Sequence, residues 1–495
     1  MVAVAVDTSQ ADPELKMWIR KAMPISVTVV VAVALWSVFY PAIMSADSLE
    51  QYGQAKSLQI DDWHPPIMAA ALATIFRLGG DIGTLMLLQC IAGLLGLRAF
   101  LDAQLAWSWE RRKSPENRAW LATGLTLAML IPVTPFGYYL MTFWKDSWLA
   151  ITLLWIGAIS IHLYGAVRRS GRLRFFGGFA LLCMLMAFAV SLRHNAIVLL
   201  PVFWIIARIV LRRRRVRWAS AVALIPVAVF FLGQRSIDFL FDVKHVCGAN
   251  QVKALDLVGI VVLNPESRAS LDYIDGNLSA DFRKRYRFGD IGPVAWETPP
   301  ILNRDVIDVR NRMPENPELD REYRRAVRSF PLTLVEVKLR AFALLLDWST
   351  THYWVHWYND GLDPNHHGVR PAGPLRGARA WLFGAAERVA GHRTLRWISG
   401  VHLIWFAASA VVAIVWLIRP RGGSRPMNAL RITLFLLPLA YYSSYLLGTV
   451  APDFRYMYPA TLFVQAQIAS ALVAWWFERD GADRKLDISA LQGCV

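Results

Sequence analysis

Four stretches of this chain place acids, imidazoles or cations beside apolar runs. They are Asp47 to Tyr52 followed by Asp61-Asp62-Trp63-His64-Pro65-Pro66, then Lys145-Asp146, then Arg193-His194, and finally Asp453-Phe454-Arg455-Tyr456. A carboxylate just past the end of an apolar helix can carry a raised pKa, bind a metal, or take a proton from a hydroxyl. Asp47 is the candidate base. The same residue could instead cap the following turn, with Asp47 as N-cap and Glu50 at capping-box spacing, and the two roles are compatible. The Pro65-Pro66 pair stops one element and starts the next. It fixes His64, which is a ligand, a hydrogen-bond donor to phosphate, or a helix cap. Lys145, Arg193 and Arg455 stand at the ends of apolar runs, where charge-assisted hydrogen bonds could hold a phosphate at headgroup level. Snorkelling to lipid or pairing with a nearby carboxylate is the alternative for each.

The elements that must position these residues follow from composition. Of 495 residues, 55% are hydrophobic and 18% charged, which points to repeated bilayer crossings. The formal charge of +16, from 53 Lys+Arg against 37 Asp+Glu, does not indicate nucleic-acid binding. Its basic residues gather in short loops such as Arg212 to Arg215 with Arg217, and no aromatic-basic surface accompanies them. Successive apolar runs predict about ten spans. These are Pro24–Ile43, Thr84–Leu101, Ala119–Val133, Ser147–Tyr164, Phe175–Val190, Ala196–Leu211, Trp218–Leu232, Trp397–Leu417, Ile432–Val450 and Pro459–Phe477. The first is read as an uncleaved helix, being longer than a signal-peptide core. The shorter run Ile67–Leu78 is expected to lie along the outer surface as a juxtamembrane helix.

Every short loop on one side is rich in Arg and Lys, which makes that side cytoplasmic. Asp47, Glu50, Asp61, Asp62, His64, Lys145, Asp146, Arg193, His194, Asp453 and Arg455 then all fall on the opposite face. Ionisable groups at a membrane boundary are costly unless paired or wet, so a one-sided set from distant segments implies a shared polar site. Three parts result: residues 1–233, a transmembrane module with an outer loop at 45–66; residues 234–396, a large outer segment with interfacial helices; and residues 397–495, further spans and a cytoplasmic tail. Within the outer segment Leu332–Trp348 is apolar, yet Glu336, Lys338 and Arg340 would each cost about 2.5–3.5 kcal/mol at the bilayer centre. An interfacial helix is expected there. The four cysteines, Cys90, Cys183, Cys247 and Cys494, show no disulfide or zinc spacing. Cys247 is expected to be a buried small apolar residue.

Three of these motifs resemble those of bacterial GT-C glycosyltransferases, akin to protein O-mannosyltransferases and the aminoarabinose transferases that modify lipid A. Asp47 to Tyr52 with Asp62-Trp63-His64-Pro65-Pro66 resembles the family's first outer loop. Lys145-Asp146 resembles the acidic start of its fourth span, and Asp453-Phe454-Arg455-Tyr456 with Pro459 its late Arg-Tyr-Pro signature. The resemblance implies an all-α polytopic protein of the bacterial inner membrane, with its active site facing the periplasm. It implies inverting transfer of a sugar from a polyprenyl-phosphate donor to a glycan, lipid or protein acceptor of the cell envelope. Asp47 would be the base and Arg455 and Lys145 phosphate ligands, while Asp146 would orient its neighbours. Glu50, Asp62, His64, Arg193, His194 and Tyr456 complete the expected substrate-binding set. Family members often carry near-adjacent acids in the first loop, whereas Asp47 and Glu50 are three apart, so a divalent cation stays an open alternative. Competing readings are an O-antigen polymerase or ligase, which need not depend on a first-loop acid, and a lipid-linked-sugar transporter or flippase, which would place charges at midspan.

Overall fold

A computed structural model describes residues 13–108, 115–130, 135–165, 171–246, 248–307, 316–346, 361–392, 394–395, 397, 401–418, 425–451 and 453–492. Among them the chain is all-helical, with isolated β-bridges and no strand. Among the described residues six helices are long and apolar enough to cross a membrane: Ala22–Phe39, Ile82–Trp107, Lys145–Gly165, Arg172–Ser191, His194–Arg213 and Ala219–Phe241. The 21 residues of Lys145–Gly165 extend about 31 Å at 1.5 Å per residue, close to the hydrocarbon thickness of about 30 Å.

The other expected spans take different forms. The run Ala119–Val133 becomes a helix of 14 residues, Pro115–Ala128, with 131–133 outside the described residues. The run Trp397–Leu417 becomes His402–Ile418, 17 residues. Ile432–Val450 is replaced by Arg425–Ser443, which passes into a 3-10 turn at Ser444–Leu446. Pro459–Phe477 lies inside a continuous helix, Tyr458–Gln492. The run Trp218–Leu232 extends to Phe241, carrying Gln234, Arg235 and Asp238 past the boundary read at 233. The short apolar helix Ile67–Arg77 lies where a juxtamembrane helix was expected. Cys90 and Cys183 are buried free thiols, while Cys247 and Cys494 lie outside the described residues.

Three helices meet tightly at Gly157. Phe100 and Phe463 stack there with ring centroids 4.7 Å apart, and a Cβ on Gly157 would stand 2.5 Å from the Phe100 ring. Only the missing side chain allows that approach.

The first helix ends at Phe39, before Pro41, which has no N–H to offer a continuing helix. The buried guanidinium of Arg379, from the helix Arg376–Gly391, donates to the carbonyls of Phe39 and Ala42 at 3.2 Å each. Carbonyls orphaned at a helix end are thereby satisfied. The next residues run extended between two distant segments: Ile43 N donates to Met141 O and Phe143 N to Ile43 O, both at 2.9 Å, while Met44 N donates to Gly361 O at 2.9 Å. Gln89, in mid-span, donates to the Leu140 and Thr142 carbonyls at 2.6 and 2.9 Å and braces the same junction.

Gly361 has φ of +71°, and a Cβ there would meet the Phe383 ring at 2.5 Å. Gly361→Ala is therefore expected to lower stability by about 1–3 kcal/mol, since it combines a left-handed backbone with overpacking. A lowered thermal unfolding midpoint in detergent would show it, and an unchanged midpoint would mean the Ile43–Met44 junction does not depend on this fit.

Residues 249–346 carry a core of their own, built from Leu257, Val258, Val261, Ile274, Val294, Leu302, Leu319 and Val337. At its centre Lys338 pairs with buried Asp256 at 2.6 Å, Tyr323 donates to the same carboxylate at 3.1 Å, and Lys338 also donates to the Leu447 carbonyl at 2.9 Å. The helix Pro331–Leu346 thus commits its lysine to this unit and leaves Glu336 and Arg340 paired and exposed.

Candidate functional site

The helix Ala46–Ser57 brings Asp47 into position, and its start differs from the capping box expected for Asp47 and Glu50. Its N-cap is Ser45, which makes no side-chain cap bond. Ser45 Oγ instead accepts from Trp144 Nε1 at 2.8 Å, and Ser48 Oγ donates to Phe143 O at 2.7 Å. The Ala46 amide is bonded by the Asp363 carboxylate, which comes from a distant stretch. Burial pushes the Asp363 carboxyl up to about 6, an effect reinforced by the charge of Asp47 and opposed by that amide. Tertiary partners thus replace the local cap, and they fasten Asp47 beside the segment that leads into Lys145.

Asp47, Asp62, His64, Lys145, Arg193, His194, Arg455 and Tyr456 line one cavity of about 750 Å³. Four separate stretches of sequence meet there. Arg455 Nη2 donates to Asp47 Oδ2 at 2.6 Å, and its Nε lies 2.7 Å from Asp453 Oδ2. The guanidinium rests over the Trp144 ring, 4.9 Å from its centroid. Asp453 itself caps the 3-10 turn Phe454–Tyr456 by accepting from Arg455 N at 3.1 Å. Arg193 pairs with Asp146, whose side chain is only 1% exposed, and lies 4.5 Å from the Tyr456 ring centroid. Lys145 Nζ is 3.0 Å from His64 Nδ1 and makes no ion pair among the described residues. His64 Nε2 is 3.9 Å from Asp47 Oδ1 and is buried without a hydrogen-bond partner.

The other expected residues take supporting or separate places. Asp146 and Asp453 hold the arginines from behind and do not line the cavity. Asp61 pairs through its main chain with Lys244 in an isolated parallel β-bridge, and its side chain accepts from Trp63 N at 3.1 Å. Asp62 faces the cavity from its rim, where it accepts from Val246 N at 2.6 Å and pairs with His245 at 2.9 Å. Glu50 does not reach the cavity; it lies one turn beyond Asp47, and Gln54 donates to it at 3.3 Å. A helical step of three residues carries its side chain about 4.5 Å further along the helix axis, so the structure does not bring it together with the cavity residues.

Several lining residues carry no charge that would mark them in a sequence. Asn195 donates to Ser444 Oγ at 2.7 Å, and Tyr445 donates to Tyr456 O at 2.7 Å, so the Ser444–Tyr456 region is tied to the Arg193 segment. The aromatic-hydroxyl run Tyr441-Tyr442-Ser443-Ser444-Tyr445 at a helix end was the available signal. Gln251, Val252, Ile291 and Trp296 come from the 249–346 unit and close the cavity's far wall together with Leu447 and Val450.

Electrostatics fix the protonation of the charged floor. Burial would raise the Asp47 carboxyl, but Arg455, His64 and Lys145 outweigh it and hold Asp47 well below the usual carboxylate range. Its side chain keeps 34% of its surface open, facing the cavity. For His64, burial and then the Lys145 charge push the imidazole down to about 3, against the attraction of Asp47. Arg455 would be disfavoured as a cation by burial, yet Asp453 and Asp47 hold it charged. At neutral pH the floor contains an anionic Asp47, a neutral His64 and a charged Arg455. Among the described residues no group of three or more His, Cys, Asp or Glu is placed to hold a metal ion.

No protein-family model, curated protein or solved structure matches this chain. The site's geometry is accordingly the basis for what it can do.

Proposed function

We propose that this protein is a membrane glycosyltransferase that moves a sugar from a polyprenyl-phosphate donor onto a cell-envelope acceptor, with Asp47 as general base. The observation that carries the reading is the division of one cavity into two chemistries. Its floor sets Asp47 against Arg455, Lys145 and His64, while Ile197, Val198, Val252, Leu447 and Val450 offer an apolar flank. A phosphate ester with a hydrocarbon tail has the same two parts, and the flanking helix His194–Arg213 is apolar enough to stand in lipid. In this reading the cavity opens at the periplasmic face of an inner membrane, opposite the Arg- and Lys-rich loops.

In this mechanism the acceptor nucleophile loses its proton to Asp47 as it bonds to the anomeric carbon. The bond from that carbon to the phosphate oxygen breaks on the opposite side, so the configuration inverts and the lipid phosphate leaves with one more negative charge. Lys145, which has no carboxylate partner among the described residues, and Arg455 meet that developing charge. The resting Asp47–Arg455 ion pair makes Asp47 a weak base. A bound phosphate competes for the same guanidinium, and each hydrogen bond it takes from Arg455 returns basicity to Asp47. Donor binding therefore prepares proton abstraction and keeps the site idle without it.

The test combines a deletion strain with the purified protein. Mass spectrometry of envelope glycans is expected to show one sugar modification missing from the deletion strain and restored by the intact gene. In nanodiscs, Lys145→Ala is expected to weaken binding of undecaprenyl phosphate about tenfold or more, by loss of a charge-assisted contact of about 1.5–3 kcal/mol. An unaltered glycan profile together with undiminished lipid-phosphate binding would reject the assignment.

A further inference from the structure

His64 supports an inference that rests on the transferase reading and narrows it to a class of acceptor. With Lys145 as an ammonium, which has only protons to give, its Nζ at 3.0 Å donates to Nδ1, and the neutral imidazole then carries its own proton on Nε2. That Nε2–H is buried and has no hydrogen-bond partner among the described residues. Its distance of 3.9 Å from Asp47 Oδ1 is too long for a direct hydrogen bond. It is short enough for a single oxygen to sit about 2.8 Å from both atoms, with the two bonds meeting at roughly a right angle. Nε2–H can only donate there and the Asp47 carboxylate can only accept, so the atom between them must accept from one and donate to the other. A hydroxyl oxygen does both. A phosphodiester or ether oxygen has no proton for Asp47, and an ammonium or planar amide nitrogen has no lone pair to take the His64 proton.

We propose that His64 positions the acceptor by holding one lone pair of its hydroxyl oxygen, so that the acceptor is an alcohol and not an amide nitrogen. The hydroxyl proton then points at Asp47 Oδ1, and the second lone pair is left to form the bond to the anomeric carbon. The proton passes to Asp47, the sugar–phosphate bond breaks, and its electron pair stays with the phosphate. His64 neither gains nor loses a proton.

The full-length protein is tested as wild type, Asp47→Asn, His64→Ala and His64→Gln, the last keeping an N–H at the far end of the side chain. Each is expressed in the deletion strain for glycan mass spectrometry and purified for undecaprenyl-phosphate binding. His64→Ala is expected to lower product about 100-fold, as loss of reactant orientation does, with probe affinity within about twofold of wild type; the retained affinity also shows that it is folded. His64→Gln is expected to recover product to within about tenfold of wild type. Permethylation linkage mapping and reductive β-elimination distinguish a sugar or lipid hydroxyl from a serine or threonine hydroxyl, and either source agrees with the proposal. A product linked through an amide nitrogen overturns it. Wild-type product from His64→Ala beside none from Asp47→Asn also overturns it, with the transferase reading left standing. Loss of probe binding in His64→Ala makes His64 a phosphate ligand instead, and an unchanged profile in both Asp47→Asn and the deletion strain removes the transferase reading and this inference with it.

Discussion

Asp47→Asn is expected to reduce sugar transfer by about 10²–10⁴-fold, the usual contribution of a positioned general base, while binding of undecaprenyl phosphate is kept or strengthened. Asparagine preserves the size of the side chain and an oxygen facing Arg455, so the 2.6 Å contact can persist as a weaker bond. It removes the charge that holds the guanidinium in the resting state. Asp453, 2.7 Å from Arg455 Nε, still anchors the arginine, and a phosphate no longer has to displace a competing carboxylate. Opposite effects on chemistry and on donor affinity are what distinguish a base from a structural acid. Parallel measurement of transfer at saturating donor and of lipid-phosphate affinity makes the comparison. Wild-type transfer by this variant would end the role assigned to Asp47, and a loss of donor binding would make its negative charge part of the binding site's architecture.

The second large effect lies behind the cavity. Asp146→Leu is expected to destabilise the protein by about 3–5 kcal/mol, because it leaves the Arg193 guanidinium buried without its counter-charge. Arg193 is only 11% exposed, and its aromatic neighbours Tyr445 and Tyr456 cannot replace a carboxylate. The double variant Asp146→Leu with Arg193→Met is expected to recover much of that loss, since apolar side chains of similar volume often substitute for a buried pair at little net cost. Thermal unfolding midpoints in one detergent, taken over the cycle of single and double variants, give the coupling. Additive losses would show that the two side chains do not act as a pair. Lys145 and His194 each adjoin one member of this pair, so its loss should also displace two residues of the cavity floor.

The helices that form the inner bundle were legible where apolar runs were long and bounded by charge. Expected runs at Ser147–Tyr164, Phe175–Val190 and Ala196–Leu211 fall within helices Lys145–Gly165, Arg172–Ser191 and the continuous His194–Arg213 stretch. Hydropathy sees such segments because nearly every residue faces protein or lipid. It does not set ends where proline, a polar turn or a neighbouring element does, which is why the run before Pro132 yields a shorter helix. The charged floor was legible for a related reason: an ion at a membrane boundary stands out against its surroundings. Asp47, His64, Lys145, Arg193 and Arg455 carry that contrast. Trp144, Val252 and Trp296 do not, because an apolar residue that lines a cavity and one that fills a core have the same composition. Asp363 was hidden for another reason, since its partner is the Ala46 amide and no local pattern connects positions so far apart. The misplacement of Asp47 as a helix cap has the same origin, as the true N-cap Ser45 accepts from the distant Trp144 indole N–H.

The wall opposite the charges is joined to the bundle largely through main-chain atoms. Ile291 N reaches Val450 O at 2.9 Å, Lys244 N reaches Ile60 O at 2.9 Å, and Lys338 grips the carbonyl of Leu447 at 2.9 Å. Carbonyl and amide groups are the same whatever side chains they carry, so these attachments tolerate replacement of the residues that look into the cavity. The ion-paired floor has no such freedom, because each member depends on the identity of the next. If the cavity houses the proposed transferase, its reaction chemistry is frozen while its recognition surface is evolvable, and a change of Gln251, Val252 or Trp296 is expected to retune which molecule is modified without rebuilding how.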